Sequence, residues 1–336
     1  MSVKISRMVL FILVATGFLF SKPIVIKFAT LAPDGSSWMK IMREFAAEIK
    51  EKTDGQVIFK IYPGGIQGDE KDVLRKIRIN QLQGAGFTGV GMGEILPEVR
   101  VLDTPFFFKN YAELDYVLNK FDPYFAQRFK KKGFTLIGWA EVGSVYIFTS
   151  KKVQTVDDFK KIKMWIWEGD PVAEATFKAF GLNPIPLSVT DVLTSLQTGL
   201  IEGVYTSPLA CLVLQWFTKV KYVVDVPLTI SNGAVLISNR AFKKISPEHQ
   251  QIVRETGYQY FRRLTETSRK DNEKSLLNMQ QNGIQLLKLS SPENLKRFDE
   301  IGEQARRSLI GKLYDEELLI KIESTLQEFR TKKNRE

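Results

Sequence analysis

Catalysis would have to be assembled from few parts. The chain has one histidine, His249, and one cysteine, Cys211. A Ser/His/Asp relay could use only His249, and the two residues together cannot supply a four-ligand zinc site. A lone thiol cannot close an internal disulfide. Cys211 stands in the apolar stretch LACLVL and reads as a buried, inert thiol. His249 lies between Glu248 and Gln250 at a helix start and reads as solvated. The adjacent acids Asp157 and Asp158 adjoin a turn and read as helix caps. No enzyme, no metal and no cofactor is expected.

Residues 84–89 (GAGFTG) match G-x-G-x-x-G. A dinucleotide site needs these glycines between a strand and a helix, so that phosphate meets the positive helix N-terminus. Here a helix is expected before them and no convincing one after. The reading is a loop where the backbone passes close to something, a ligand included. The aromatics carry more information. Trp165 and Trp167 lie two apart on an expected strand and so share one face, with Ile166 on the other. Sheet core is the competing reading, since aromatics dominate cores. Tyr146 and Tyr205 fall near strand ends, where α/β ligand crevices open.

The elements that must hold these residues alternate. Strands are expected at 24–29, 57–62, 85–88, 135–141, 144–149, 163–167, 220–228, 234–238 and 284–289. Helices are expected at 38–53, 68–80, 111–131 with Pro123 as a break, 171–180, 189–199 and 247–281, with more at the C-terminus. Residues 135–141 and 144–149 look like paired strands. Strands interleaved with helices indicate an α/β fold with largely parallel sheets. The length of 336 residues suggests two domains.

Lys4 and Arg7 precede an apolar run of 13 residues, 8–20. That is short of the roughly 20 a spanning helix needs and fits a cleaved export signal, with a retained anchor as the alternative. The balance of 48 basic and 38 acidic residues gives +10. The basic residues come in short, dispersed groups mixed with acids, unlike the single basic face of a nucleic-acid binder. No nucleic-acid partner is expected.

Seven segments in order make a more specific pattern: 27–30 (KFAT), the helix at 38–53, 57–65 (VIFKIYPGG), 102–108 (LDTPFFF), 156–164 (VDDFKKIKM), 176–186 (TFKAFGLNPIP) and 196–203 (LQTGLIEG). Together they resemble the periplasmic solute receptors of TRAP transporters, the DctP-like family. The resemblance implies two α/β lobes around an interlobe cleft, with a long helix near 247–281 crossing both. It also implies no catalysis, solute capture by hinge closure, periplasmic location and delivery to TRAP membrane permease subunits. On this frame the domains are a signal at 1–21, lobe I at 22–145 plus about 231–258, and lobe II at 146–230 plus about 259–310. A C-terminal helix follows at 311–336.

The departures set the expected ligand. Family members that bind organic acids carry Arg directly after the Lys-Met or Lys-Ile of the 163–167 strand, where this chain has Trp165. A second cationic contact falls at Tyr146. The Gly-x-x-Asn-Pro region becomes Val204-Tyr205-Thr206-Ser207-Pro208. The carboxylate clamp is therefore expected to be missing, and an Arg–carboxylate fork supplies roughly 1.5–3 kcal/mol per charge-assisted bond. A ligand burying ~200 Å² of apolar surface gains about 5 kcal/mol instead. An apolar or amphipathic ligand follows, held by Trp165, Trp167, Tyr146, Tyr205, Thr206 and Ser207 from one lobe and Thr30, Trp38, Thr88 and Met92 from the other. Lacking the Arg, the chain resembles the subgroup that works with a tetratricopeptide-repeat partner. The alternatives are an organic-acid receptor, aromatic capture of a quaternary amine, and a ligand-free protein that docks a partner.

Overall fold

A computed structural model of the chain describes residues 22–333. The export signal expected at 1–21 lies outside them.

The strands are β1 (Ile24–Thr30), β2 (Val57–Tyr62), β3 (Gly84–Thr88), β4 (Phe134–Trp139), β5 (Gly143–Thr149), β6 (Trp165–Trp167), β7 (Ile185–Leu187), β8 (Gly203–Thr206), β9 (Tyr222–Val224), β10 (Thr229–Ser231), β11 (Gly233–Ser238) and β12 (Gln285–Leu287). The helices are α1 (Ser37–Lys52), α2 (Glu70–Arg78), α3 (Gly89–Ile95), α4 (Tyr111–Lys131), α5 (Pro171–Ala179), α6 (Val192–Thr198), α7 (Pro208–Val213), α8 (Asn239–Phe242), α9 (Pro247–Gln281), α10 (Pro292–Ser308) and α11 (Glu316–Lys333).

They form two lobes. Lobe I is a five-stranded sheet in the order β2-β1-β3-β11-β4. Lobe II holds β10-β5-β9-β12 with β8 on β5, beside the parallel pair β6–β7. The sheets are mixed rather than largely parallel. β11 runs antiparallel to both β3 and β4, and β5 runs antiparallel to β8, β9 and β10. The reason is topological. Both strands arrive from the opposite lobe and enter their sheet from the far side. For the same reason the expected pairing of 135–141 with 144–149 does not occur, because β4 and β5 belong to different sheets.

The interlobe segments run side by side. The Ala140 N–H donates to the Gly233 carbonyl at 2.7 Å, and the Val142 N–H to the Ser231 carbonyl at 3.0 Å. This short ladder is the waist of the molecule. Gly143, at φ +109°, follows it, and a Cβ there would lie 2.4 Å from Asn272 Nδ2. Only glycine fits that turn.

Local sequence explains the main helices. Ser36 caps α1, accepting from the Met39 N–H, and Met39, Ile41, Met42, Phe45 and Ile49 form its buried stripe. Pro123 sits inside α4 without ending it, for Leu114, Val117, Phe125 and Phe129 keep both halves buried on one face. α9 opens on Ser246 and Pro247 and runs 35 residues, about 52 Å at 1.5 Å per residue. It packs on α1 and β4 in lobe I, and on α7 and β5 in lobe II. Among the described residues no helix is long and apolar enough to cross a membrane.

Candidate functional site

A cavity of about 330 Å³ opens between the lobes. Lobe I supplies the C-terminal ends of the parallel strands β1 and β3, the usual place for a crevice in such sheets. Thr30, Trp38, Gly86 and Thr88 line it there. Lobe II supplies Trp165, Trp167, Tyr205, Thr206 and Ser207. The interlobe segments and α7 close the sides with Val142, Val145, Leu209 and Val213.

The two expected residues that do not reach the cavity fail for geometric reasons. Val145 lines it, so strand alternation turns Tyr146 to the other face, against the cluster around Phe148. Gly89 and Val90 line it, and α3 carries Met92 inward, where it is 0% exposed in the lobe I core.

Trp165 is the floor of the cavity and also part of the lobe II core. It is 2% exposed, stacks on Tyr205 at 5.1 Å and meets Trp216 edge-on at 5.3 Å. Its Nε1–H donates to the Leu187 carbonyl at 3.0 Å. The polar handles of the neighbouring aromatics are likewise spent within the protein. The Trp167 Nε1–H donates to Asp69 Oδ2 at 3.0 Å, and the Tyr205 hydroxyl lies between the Trp167 N–H and Asp170. The three rings present faces, not donors. Thr30, Thr88 and Ser207 also already hold intramolecular hydrogen bonds through their hydroxyl oxygens.

The glycine-rich segment is explained by charge rather than by nucleotide. A helix does follow it, contrary to expectation: β3 ends at Thr88 and α3 begins at Gly89. Its N-terminus is already occupied. Glu70 accepts from the Thr88 N–H at 2.6 Å, the Thr88 hydroxyl at 2.8 Å and the Gly91 N–H at 2.7 Å. A Cβ on Gly89 would lie 2.0 Å from Asp103 Oδ2, and one on Gly91 2.6 Å from Glu70 Oε2. Gly89 and Gly91 leave room for buried carboxylates, whereas a Cβ on Gly84 would meet the Leu236 carbonyl and one on Gly86 the Trp38 ring. Burial pushes Glu70 up to about 7, against the pull of its three donors.

The sequence reading missed a cation. Arg100, 5% exposed, lines the cavity, so the cleft is not free of positive charge. It is not free to bind either. Its guanidinium lies 3.0 Å from Asp170 Oδ1 across the cleft and 3.1 Å from Asp103 Oδ2 in its own lobe. Asp170 also caps α5 through the Val172 N–H, and Asp103 also accepts from the Asn232 N–H. Burial lifts Asp103 to about 6 although Arg100 opposes it. Among the described lining residues the ionisable acids and bases are Glu70, Asp103, Glu141 and Asp170 against Arg100. Arg269 answers Glu141 from outside the lining. A motif search had no means of finding Arg100, because its partner Asp170 is 70 positions away in the other lobe.

A second bridge closes the cleft's mouth. Asp69 Oδ2 accepts from Trp167 Nε1 and from the Ser188 hydroxyl at 3.2 Å, tying lobe I to lobe II.

Relatives place this architecture. A solute-binding protein of Verminephrobacter eiseniae is 28% identical over 210 residues, 62% of this chain and 62% of its own length. The chain thus spans under two thirds of that relative. Among solved structures, a TRAP periplasmic solute binding protein of Desulfovibrio salexigens with bound orotic acid superposes at a TM-score of 0.84, with 18% identity, over 91% of this chain and 99% of that one. One of Pseudomonas putida F1 with bound D-glucuronate gives 0.80, with 21% identity, over 89% and 96%. At those identities the two structures establish the fold alone. The family described as DctP, bacterial extracellular solute-binding protein, family 7, matches residues 28–311, and this chain belongs to it.

Proposed function

We propose that the chain is an extracytoplasmic solute receptor that closes on an apolar or amphipathic small molecule and delivers it to a TRAP-type membrane permease. One observation carries the reading. The cavity surface is mostly aromatic and aliphatic, and among the described lining residues its one cation is already held between two carboxylates. A solute carboxylate would enter a region that holds Glu70, Asp103 and Asp170, and would lie desolvated unless it displaced one of them from Arg100. An apolar body gains from burial with no such exchange. Closure follows because only the closed cleft touches the solute from both lobes, with bending at the 140–142 and 231–233 segments.

The second reading is an organic-acid receptor, and Arg100 is the observation in its favour. The orotate and D-glucuronate in the two solved relatives belong to those proteins. The two readings separate in one experiment. Mass spectrometry of compounds extracted from the purified protein identifies the native solute, and tryptophan fluorescence follows titration with succinate and with the neutral probe N-phenyl-1-naphthylamine. The apolar reading expects the neutral probe to bind, succinate not to bind, and Trp165→Ala to weaken the probe by tenfold or more. Tight succinate binding that Trp165→Ala leaves unchanged sinks it.

A further inference from the structure

We infer that Asp170 is a specificity residue that excludes carboxylate solutes by standing where a solute carboxylate would pair with Arg100. The inference rests on the apolar reading and names the side chain that enforces it.

Arg100 is a lobe I residue that lines the cavity. Such a group would ordinarily attract an acid. Its outward nitrogen is instead taken by Asp170 Oδ1 at 3.0 Å, from the opposite lobe. Asp170 is held there from two sides. Its Oδ1 also accepts from the Val172 N–H at 3.0 Å, and its Oδ2 lies 3.4 Å from the Tyr205 hydroxyl. It is 4% exposed, so water does not screen its charge well. Asp103 occupies the other side of the guanidinium. Nε and Nη2 of the guanidinium therefore already face carboxylates of the protein's own. An acid held in the closed cleft would have to take the place of Asp170 at Arg100 and leave that buried carboxylate unpaired, a cost that offsets what the new pair returns. A neutral solute of the same shape meets no such barrier. The device rejects by repulsion rather than by a poor fit, and a single charge carries it.

Benzoate and benzamide differ chiefly in charge, so the ratio of their dissociation constants reads this device directly. Measured by calorimetry at pH 7.5, wild type is expected to prefer benzamide. Asp170→Asn keeps a helix-capping side chain but frees Arg100, and should move the ratio toward benzoate by tenfold or more. Asp170→Glu, which keeps the charge, should not. Asp170→Ser, another capping residue, serves in place of the Asn variant if that one fails to fold. A folded Asn or Ser variant whose ratio stays at the wild-type value overturns the role of Asp170 while leaving the apolar reading intact. A wild type that already prefers benzoate brings down the apolar reading itself.

Discussion

Arg269 and Arg100 each sit between two carboxylates, and the two sites are built differently. Arg269, on α9, makes five hydrogen bonds of 2.5–3.2 Å with Asp115 on α4 and Glu141 in the interlobe segment. The Tyr111 ring covers its guanidinium at 4.2 Å. Arg100 holds its partners by one close contact each, and its Nε and Asp103 Oδ2 face at 3.1 Å without hydrogen-bond alignment. The first is a planar fork filled on both sides, the strongest arrangement available to Arg. It joins α9 and α4 to the waist. The second joins two lobes that part in the proposed mechanism. A bond across an opening cleft has to be breakable, and imperfect pairing makes it so. Asn272 reinforces the contrast by donating to the Val142 carbonyl and accepting from the Leu209 N–H, which pins α7 and the waist to α9.

The largest expected effect breaks the stronger network. Arg269→Met leaves Glu141 buried without a cation and should lower stability by about 3–5 kcal/mol in urea denaturation. Arg100→Met also strands two carboxylates, but the cleft can open and hydrate them. Its loss should be smaller, about 1–3 kcal/mol, with a radius of gyration in X-ray scattering larger than wild type. Equal losses with no expansion would erase the distinction between pivot and gate.

Glu70 sharpens the comparison, since its three donors are all uncharged. Its carboxyl is raised from 4.5 to about 7 in the fold, so the folded state holds the proton more tightly than the unfolded chain. Stability from this group is therefore fully present below about 4.5 and lost as pH rises to about 7, by roughly 1–3 kcal/mol. Asp103 shifts in the same direction, so the quantity to measure is wild type minus Glu70→Gln at pH 5 and pH 8. A difference that does not change between the two pH values contradicts the assignment. The smallest effect belongs to the mouth. Trp167→Phe keeps the ring and deletes the donor to Asp69, which should cost about 0.5–1.5 kcal/mol of closure. Single-molecule distance measurements between the lobes would register this as a several-fold rise in the open population. An unchanged population would reduce the contact to decoration.

Much of the fold was legible because periodicity and caps are local. The stripe from Met39 to Ile49, the Ser246-Pro247 start of α9 and the alternation of β1 and β2 all announce themselves within a few residues. Strand alternation also placed Trp165 and Trp167 on one face correctly. The same rule, applied to β5 with its neighbour Val145 in view, turns Tyr146 away. Pairing of β4 with β5 was misjudged because nearness in sequence does not reveal that the chain changes lobe between them. The GAGFTG segment reads as backbone passing close to something. What its glycines meet, the Leu236 carbonyl, the Trp38 ring and the Asp103 carboxylate, comes from outside the segment.

The sequence by itself determined the α/β character, the family pattern and the absence of the Arg expected at position 165, since each is written in residue types and short spacings. Only the tertiary structure decided the electrostatics of the cleft. The Arg100–Asp103 pair is local, but it acquires its meaning when the other lobe brings Asp170 within about 3 Å, and Coulomb energy depends on that separation and on burial, neither of which a linear spacing contains.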